Sequence, residues 1–300
     1  MIPLVSSLSY GPLNLCQLPR LWWKASLATA GHLAEDYPEC SGFLDNMVLE
    51  RCGLDAQTTL EHIHRERPDY LTFEAWVRQQ ADGGPSKETC EEWNGFIRNR
   101  IHKQEKLDDI YPAVGLDRES GVDSAVVLNH LEDWHYYFQR DLTGDGLAPW
   151  DGQVVPLVSS LDIGPLGLIQ LARTWHKVQL EAAGILHPDY PSCGGGLDRR
   201  VIEEALGMEV PVVVDHLKTE RPSYLGFEAW LGDKLANPSE FASRREIFNA
   251  SVIERIHAEE KRADIHKNLS REDDGSLPRE GVVLNHVEDW HYAHTALIAD

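Results

Sequence analysis

The sequence lacks any apolar run near the ~20 residues that a membrane-crossing helix requires, so a helical span is not expected. Its start, Met1 to Tyr10, carries no basic residue ahead of a long apolar stretch, which reads against a secretory leader. The five cysteines, Cys16, Cys40, Cys52, Cys90 and Cys193, form no C-x-x-C pair, which argues against a zinc knuckle or a redox dithiol. An odd number of them suits reduced thiols, and a cytoplasmic location is expected. Positive charge is scarce: 28 Lys and Arg stand against 49 Asp and Glu, a net charge of -21. Such a surface repels phosphate backbones and anionic lipid, so neither nucleic acid nor membrane is an expected partner. There is no phosphate loop, no dinucleotide glycine string, no Gly-x-Ser-x-Gly elbow and no H-x-x-x-H or H-E-x-x-H spacing. The expectation is therefore no cofactor and no metal.

What is present is a pattern written twice. A chain of 300 residues, 42% hydrophobic and 26% charged, has the make-up of a soluble globular protein with room for two domains. Val126-Val-Leu-Asn-His-Leu-Glu-Asp-Trp-His-Tyr136 returns as Val282-Val-Leu-Asn-His-Val-Glu-Asp-Trp-His-Tyr292, with ten of eleven positions identical. Ile2-Pro-Leu-Val-Ser-Ser-Leu8 returns as Val155-Pro-Leu-Val-Ser-Ser-Leu161, and Asp36-Tyr-Pro-Glu-Cys40 as Asp189-Tyr-Pro-Ser-Cys193. Glu66-Arg-Pro-Asp-Tyr-Leu-Thr-Phe-Glu-Ala-Trp76 returns as Glu220-Arg-Pro-Ser-Tyr-Leu-Gly-Phe-Glu-Ala-Trp230. The offset grows only from 153 (Ile2 to Val155) to 156 (Val126 to Val282). A period near 150 residues reads as a duplicated domain rather than a solenoid. The expected division is a first helical domain at 1–142, a linker at 143–153 rich in turn formers, and a second helical domain at 154–300.

Helical periodicity dominates, and the expected class is all-α, two homologous helical domains related by internal duplication. Leu18, Leu21, Trp22, Ala25 and Ala28 share one stripe that ends near Gly31. Pro19 marks a start or kink of that helix, and Ala172 takes its place in the second half. Asp55 is placed to cap a helix ending before Pro68, with Leu60 and Ile63 on its apolar side. From about Ser86, residues Trp93, Phe96, Ile97 and Ile101 form the apolar side of another. Val212 to Val214 follow a proline but align with a helical stretch of the first half. Asn129 with Glu132, and Asn285 with Glu288, have the spacing of a capping box, with Leu131 and Trp134 facing the core.

Several residues in order carry a resemblance: Arg20-x-x-x-Lys24, Ala30-Gly31, the Tyr37 loop, Gly42-Phe-x-Asp45, Gly53-Leu-Asp55, Ala75-Trp76, Trp93-Asn94-x-Phe96 and Asp133-Trp134. Over most of 12–138, and in paired form over 165–292, the chain resembles the domain-of-unknown-function family 5069, small bacterial proteins of about one such unit. The resemblance implies a tandem version and supplies no reaction. The second half departs at Gly195-Gly-Leu-Asp198 and at Phe248-Asn249.

Two constellations suggest chemistry. The first helix carries Arg20 and Lys24 on a side that also holds Trp23, Leu27 and Ala30; Arg173 and Lys177 repeat them. A cation on a buried helix must be neutralised. Asp45 and Asp198, each opening a short helix, are candidate partners, and the alternatives are a structural ion pair or snorkelling side chains. The functional reading is an anion-binding pocket of Arg20, Lys24, Tyr37, Asp45 and Asn94, and again of Arg173, Lys177, Tyr190, Asp198 and Asn249. The second constellation is His130 with Asp133, and His286 with Asp289, at i, i+3 spacing suited to a general base oriented by a carboxylate. His62 and Glu66, like His216 and Glu220, have a chelating spacing, but His62 reads as surface. His102 and His257, with Arg100 and Arg255, read as a polar face of the long helix. The combined expectation is a cofactor-independent acid–base enzyme, of lyase, isomerase or hydrolase type, acting on a small anionic molecule. The alternatives are a non-catalytic ligand-binding or interaction module and a metal-dependent helical-bundle enzyme.

Overall fold

A computed structural model describes every residue except 81, 82, 194, 195, 236 and 300; Gly195, quoted above for its departure, lies outside the described residues. Among the described residues there are fourteen α-helices and no strand, only three isolated bridges. The chain forms two compact units. One comprises Met1–Asn99 together with Ile256–Asp300, the other Arg100–Arg255. The first is left at Asn99 and re-entered at Ile256. Compactness and sequence pairing thus divide the chain differently: the string 126–136 lies in unit 2 and its counterpart 282–292 in unit 1.

Unit 1 contains α1 (Leu18–Thr29), α2 (Leu44–Arg51), α3 (Ala56–Glu66), α4 (Tyr70–Gln80) and α5 (Lys87–Asn99). Unit 2 contains α6 (Gln104–Val114), α7 (Ala125–Tyr136), α8 (Leu171–Ala182), α9 (Gly196–Arg200), α10 (Val210–Glu220), α11 (Tyr224–Lys234) and α12 (Pro238–Ile253). The final pair, α13 (Glu259–Asn268) and α14 (Gly281–Leu297), belongs to unit 1.

α1 begins where expected. Pro19 occupies its first turn, where a missing N–H costs nothing. After the C-cap Ala30, Gly31 takes φ 73°, a left-handed turn that suits glycine. The helix is buried nearly all round, Trp22 and Trp23 included, which is why its periodicity alone did not show a single face. The Trp22 indole donates to Pro68 O at 2.9 Å, and its ring meets Tyr70 at 5.4 Å and Trp290 of α14 at 6.4 Å. Trp290 in turn lies edge-on to Tyr70 at 4.6 Å. His294 stacks on Trp22 and bonds to Arg67 O. The aromatic core of unit 1 therefore depends on α14.

Unit 2 has the same kind of centre. Trp175 donates to Pro222 O at 3.0 Å, and Trp134 of α7 lies edge-on to Tyr224 at 4.5 Å.

Asp55 caps α3 by accepting from Thr58 N, as its position predicts. The capping boxes do not form. α7 starts at Ala125, four residues before Asn129, after the N-cap Ser124, whose hydroxyl accepts from Val127 N, and α14 starts after Glu280. Asn129 and Asn285 lie inside their helices and meet His102 and His257, at 2.9 and 2.8 Å. Those histidines lie beyond the ends of α5 and α12, not on a helix face. Leu131 and Trp134 are buried as expected. On α5, Trp93 and Ile97 are buried, but Phe96 is 41% exposed and Ile101, past the helix end, 61%. The buried stripe is narrower than the apolar pattern.

A chain ending at Arg255 loses the helices that close over Trp22 and Tyr70. Amide exchange is expected to lose protection in α1 and to keep it in α8; unchanged protection in α1 would contradict this packing.

Candidate functional site

The cation that α1 carries into the interior is closed by the protein itself. Lys24 Nζ meets Asp45 Oδ2 at 2.5 Å, and the two are 4% and 0% exposed. The carboxylate also accepts from Gln17 Nε2 at 2.7 Å and from Ser41 N at 2.6 Å, so its lone pairs are well used. Burial pushes the Lys24 ammonium down and the Asp45 charge opposes that. The arrangement recurs in unit 2. Lys177 pairs with Asp198, which also accepts from Gln170 Nε2 and Thr174 Oγ1, each at 2.8 Å. Gln17 and Gln170 both hold the left-handed backbone, at φ 72° and 67°, a conformation costly for a side chain with a Cβ. Their buried bonds to the carboxylates hold them there.

Arg20 and Arg173 go elsewhere. Arg20 Nη1 donates to Pro3 O and Val5 O, both at 2.9 Å; Arg173 Nη1 donates to Pro156 O and Val158 O at 2.7 and 2.9 Å. Each guanidinium pins the extended segment that precedes its helix, and Arg173 also lies over the Tyr190 ring at 5.9 Å. Tyr37 is half-buried in its loop. Asn94 accepts from Cys16 N and donates to Asn14 O, while Asn249 accepts from Ile169 N and donates to Gly167 O. The two asparagines hold the turn before α1 and α8 respectively. The thiols of Cys40 and Cys193 are pushed up to about 11 and about 12, chiefly by burial and then by the neighbouring Asp45 and Asp198. Neutral thiols are poor nucleophiles.

His130, 2% exposed, bonds through Nδ1 to Ile163 O at 2.9 Å, with Nε2 3.5 Å from Asp162 Oδ1. His286, 3% exposed, bonds through Nδ1 to Tyr10 O at 3.0 Å. Each imidazole stacks on the tryptophan one turn along, Trp134 or Trp290. Asp133 and Asp289 are buried beside them on α7 and α14. His62 is half-buried and stacks flat on Trp76 at 4.2 Å, and His216 does the same on Trp230 at 4.0 Å, rather than standing free on the surface.

Sequence reasoning missed two buried carboxyls. Tyr70, Phe73, Glu74 and Val77 fall at i, i+3, i+4, i+7, and so do Tyr224, Phe227, Glu228 and Leu231. A glutamate on an apolar stripe, one turn after a tyrosine and in both halves, was the available signal. Glu74 and Glu228 are 3% and 5% exposed. Tyr224 donates its hydroxyl to Glu228 at 2.6 Å, and Leu166 N donates at 3.2 Å. Glu74 accepts from Arg78 Nη2 at 3.1 Å. Glycines let the covering loops approach. A Cβ on Gly11 would come 2.3 Å from the Tyr70 ring and 2.8 Å from Glu74, and one on Gly164 2.4 Å from the Tyr224 ring and 2.6 Å from Glu228. Burial pushes the Glu74 carboxyl up, against the Leu13 N–H and Arg78. Glu228 has Gly232, not an arginine, at the i+4 position, and burial holds it up at about 7.

Glu74 differs in one further respect. It is one of the residues lining a cleft of ≈ 690 Å³ within unit 1, between α4 and the α13–α14 connection. Arg78, Arg271, Pro12, Leu277 and His266 line the same space. The Arg78 and Arg271 side chains are 42% and 40% exposed. Arg271 is fixed by Asp69 at 3.2 Å and by Thr72 at 3.1 Å. Two guanidiniums thus face a space that a partly hidden carboxyl also borders.

The Glu228 carboxyl makes stability depend on pH. Unfolded, it titrates near 4.3; folded, near 7. Between those values the folded chain holds a proton that the unfolded chain has released, so the unfolding free energy falls as pH rises. The loss amounts to about 4 kcal/mol in order of magnitude and is complete above pH 7. Glu228→Gln is expected to flatten this slope and to be the more stable protein at pH 8, read by urea denaturation; an unchanged slope would contradict the assignment.

Residues 13–133 match a family model described as Domain of unknown function (DUF5069). The matched stretch contributes to both compact units, 13–99 to unit 1 and 100–133 to unit 2. No curated protein and no solved structure matches the chain.

Proposed function

We propose that this protein binds a small anionic molecule in the unit 1 cleft and moves a proton on it without a resident cofactor. Glu74 is the acid–base group, and Arg78 and Arg271 hold the anion. One observation carries this reading: a carboxyl pushed up by burial borders an open cleft beside two guanidiniums that retain exposed surface. A raised carboxyl suits proton transfer near neutral pH, and bidentate arginines suit carboxylate or phosphate. The two guanidiniums offer an anion direct partners within a chain whose global charge of -21 opposes its approach. Lyase and isomerase chemistry both include such a proton transfer. Arg20, Lys24 and Asp45, with Arg173, Lys177 and Asp198, serve in this reading to fix the scaffold. The paired strings and the paired Lys–Asp geometry support a tandem of two family units, and the reduced thiols suit the cytoplasm.

A second reading, a non-catalytic scaffold, is favoured by the same closed Lys24–Asp45 and Lys177–Asp198 pairs, which leave those cations no need of a ligand.

Thermal denaturation in a panel of small carboxylates, amino acids and inorganic phosphate separates the two. A ligand at 100 times its Kd adds about 2.7 kcal/mol of stability. The expected result is a raised Tm for wild type and for Arg20→Ala, and none for Arg271→Ala. A panel that shifts nothing would favour the scaffold, and a shift that survives Arg271→Ala would put the ligand outside this cleft.

A further inference from the structure

The cleft is not lined by positive charge alone. Residues of the α13–α14 connection, Glu272 and Asp274, border the space that Arg78 and Arg271 border. Both acids are exposed, and Asp274 is fixed: its Oδ1 accepts from Ser276 N at 2.9 Å. That bond and the Ser276 side chain hold its carboxyl below the usual range, so it is charged at neutral pH. Arg271 is anchored to Asp69 and Thr72, so the cationic side of the cleft is fixed as well. One cleft of ≈ 690 Å³ therefore presents two guanidiniums and two exposed carboxylates to the same contents. A plain monoanion satisfies the arginines and is repelled by the acids. A dianion meets that repulsion twice. A molecule that carries an ammonium beside its carboxylate satisfies both groups and adds no net charge to a chain already at -21.

Resting on the reading of this cleft as the ligand site, we propose that its ligand is a zwitterion of the amino-acid type, its carboxylate held by Arg78 and Arg271 and its ammonium by Glu272 and Asp274. The arginines supply affinity for any small carboxylate. The acids supply the discrimination, because they penalise a ligand that lacks the positive group.

Three probes of similar size test this with the full-length protein: propionate, alanine and malonate, titrated by NMR or calorimetry. Alanine is expected to bind at least tenfold more tightly than propionate, and malonate no better than propionate. The double variant Glu272→Gln, Asp274→Asn lies on an exposed loop and is expected to keep propionate binding while erasing the preference for alanine. Arg271→Ala is expected to lose all three. Propionate or malonate binding as tightly as alanine in wild type, or a preference that survives the double variant, would overturn the zwitterion and leave the cleft as an anion site. Failure of all three probes to bind would overturn the cleft as the ligand site, and the zwitterion with it.

Discussion

A lysine on a helix that is buried on every side sets the terms for the rest of unit 1. An ammonium 4% exposed is tolerable only with a carboxylate against it, and Asp45 provides one with no exposure at all. That requirement fixes α2 against α1. It orders Ser41 and holds Gln17 in a left-handed backbone that it would otherwise avoid. The turn before α1 is then held from a third side by Asn94, and the extended segment before it by Arg20. Unit 2 satisfies the same condition with Lys177, Asp198, Gln170 and Asn249, adding Thr174 to the shell. The polar residues named in these two shells act as positioning bonds between helix and loop.

Two kinds of buried carboxyl follow from that economy. Asp45 and Asp198 face cations and act as structural counter-ions. Glu74 and Glu228 face a tyrosine and a loop N–H, and burial drives them toward the neutral form. The halves diverge here. Glu74 has Arg78 one turn on and a cleft in front of it, whereas Glu228 has Gly232 at the corresponding place. This divergence is why the proposed chemistry is placed in unit 1.

Much of the fold was legible in the sequence. Pro19 and Gly31 bracket α1, Asp55 caps α3, and a helix stripe on which every side is apolar or paired announced a buried segment. Lys24 with Asp45 was among the expected pairings, and burial explains why. The misreadings have local causes. Asn129 and Glu132 have the spacing of a capping box, but Ser124 stands earlier with a competing cap, and Asn129 is drawn to His102 from inside the helix. Phe96 and Ile101 continue an apolar pattern past the point where packing partners exist. Glu74 was passed over because a carboxylate on an apolar stripe reads as an error until a tyrosine and a loop N–H are known to meet it. The return of 256–300 into unit 1 was not legible: strings identical at ten of eleven positions carry no local signal for which cradle each joins. The cleft was equally hidden, because α4 and the α13–α14 connection lie nearly 200 residues apart in the chain.

The claim on which the account rests is that Lys24 is present for Asp45 and not for a ligand. A double-mutant cycle with Lys24→Met and Asp45→Leu measures this directly by urea unfolding. Asp45→Leu alone strands a buried cation and is expected to cost about 3–5 kcal/mol. The double variant is expected to recover most of that, giving a coupling of about 3 kcal/mol. Single effects that add to within ~0.5 kcal/mol would mean the two groups are energetically independent, and the account of a closed interior pair would fail.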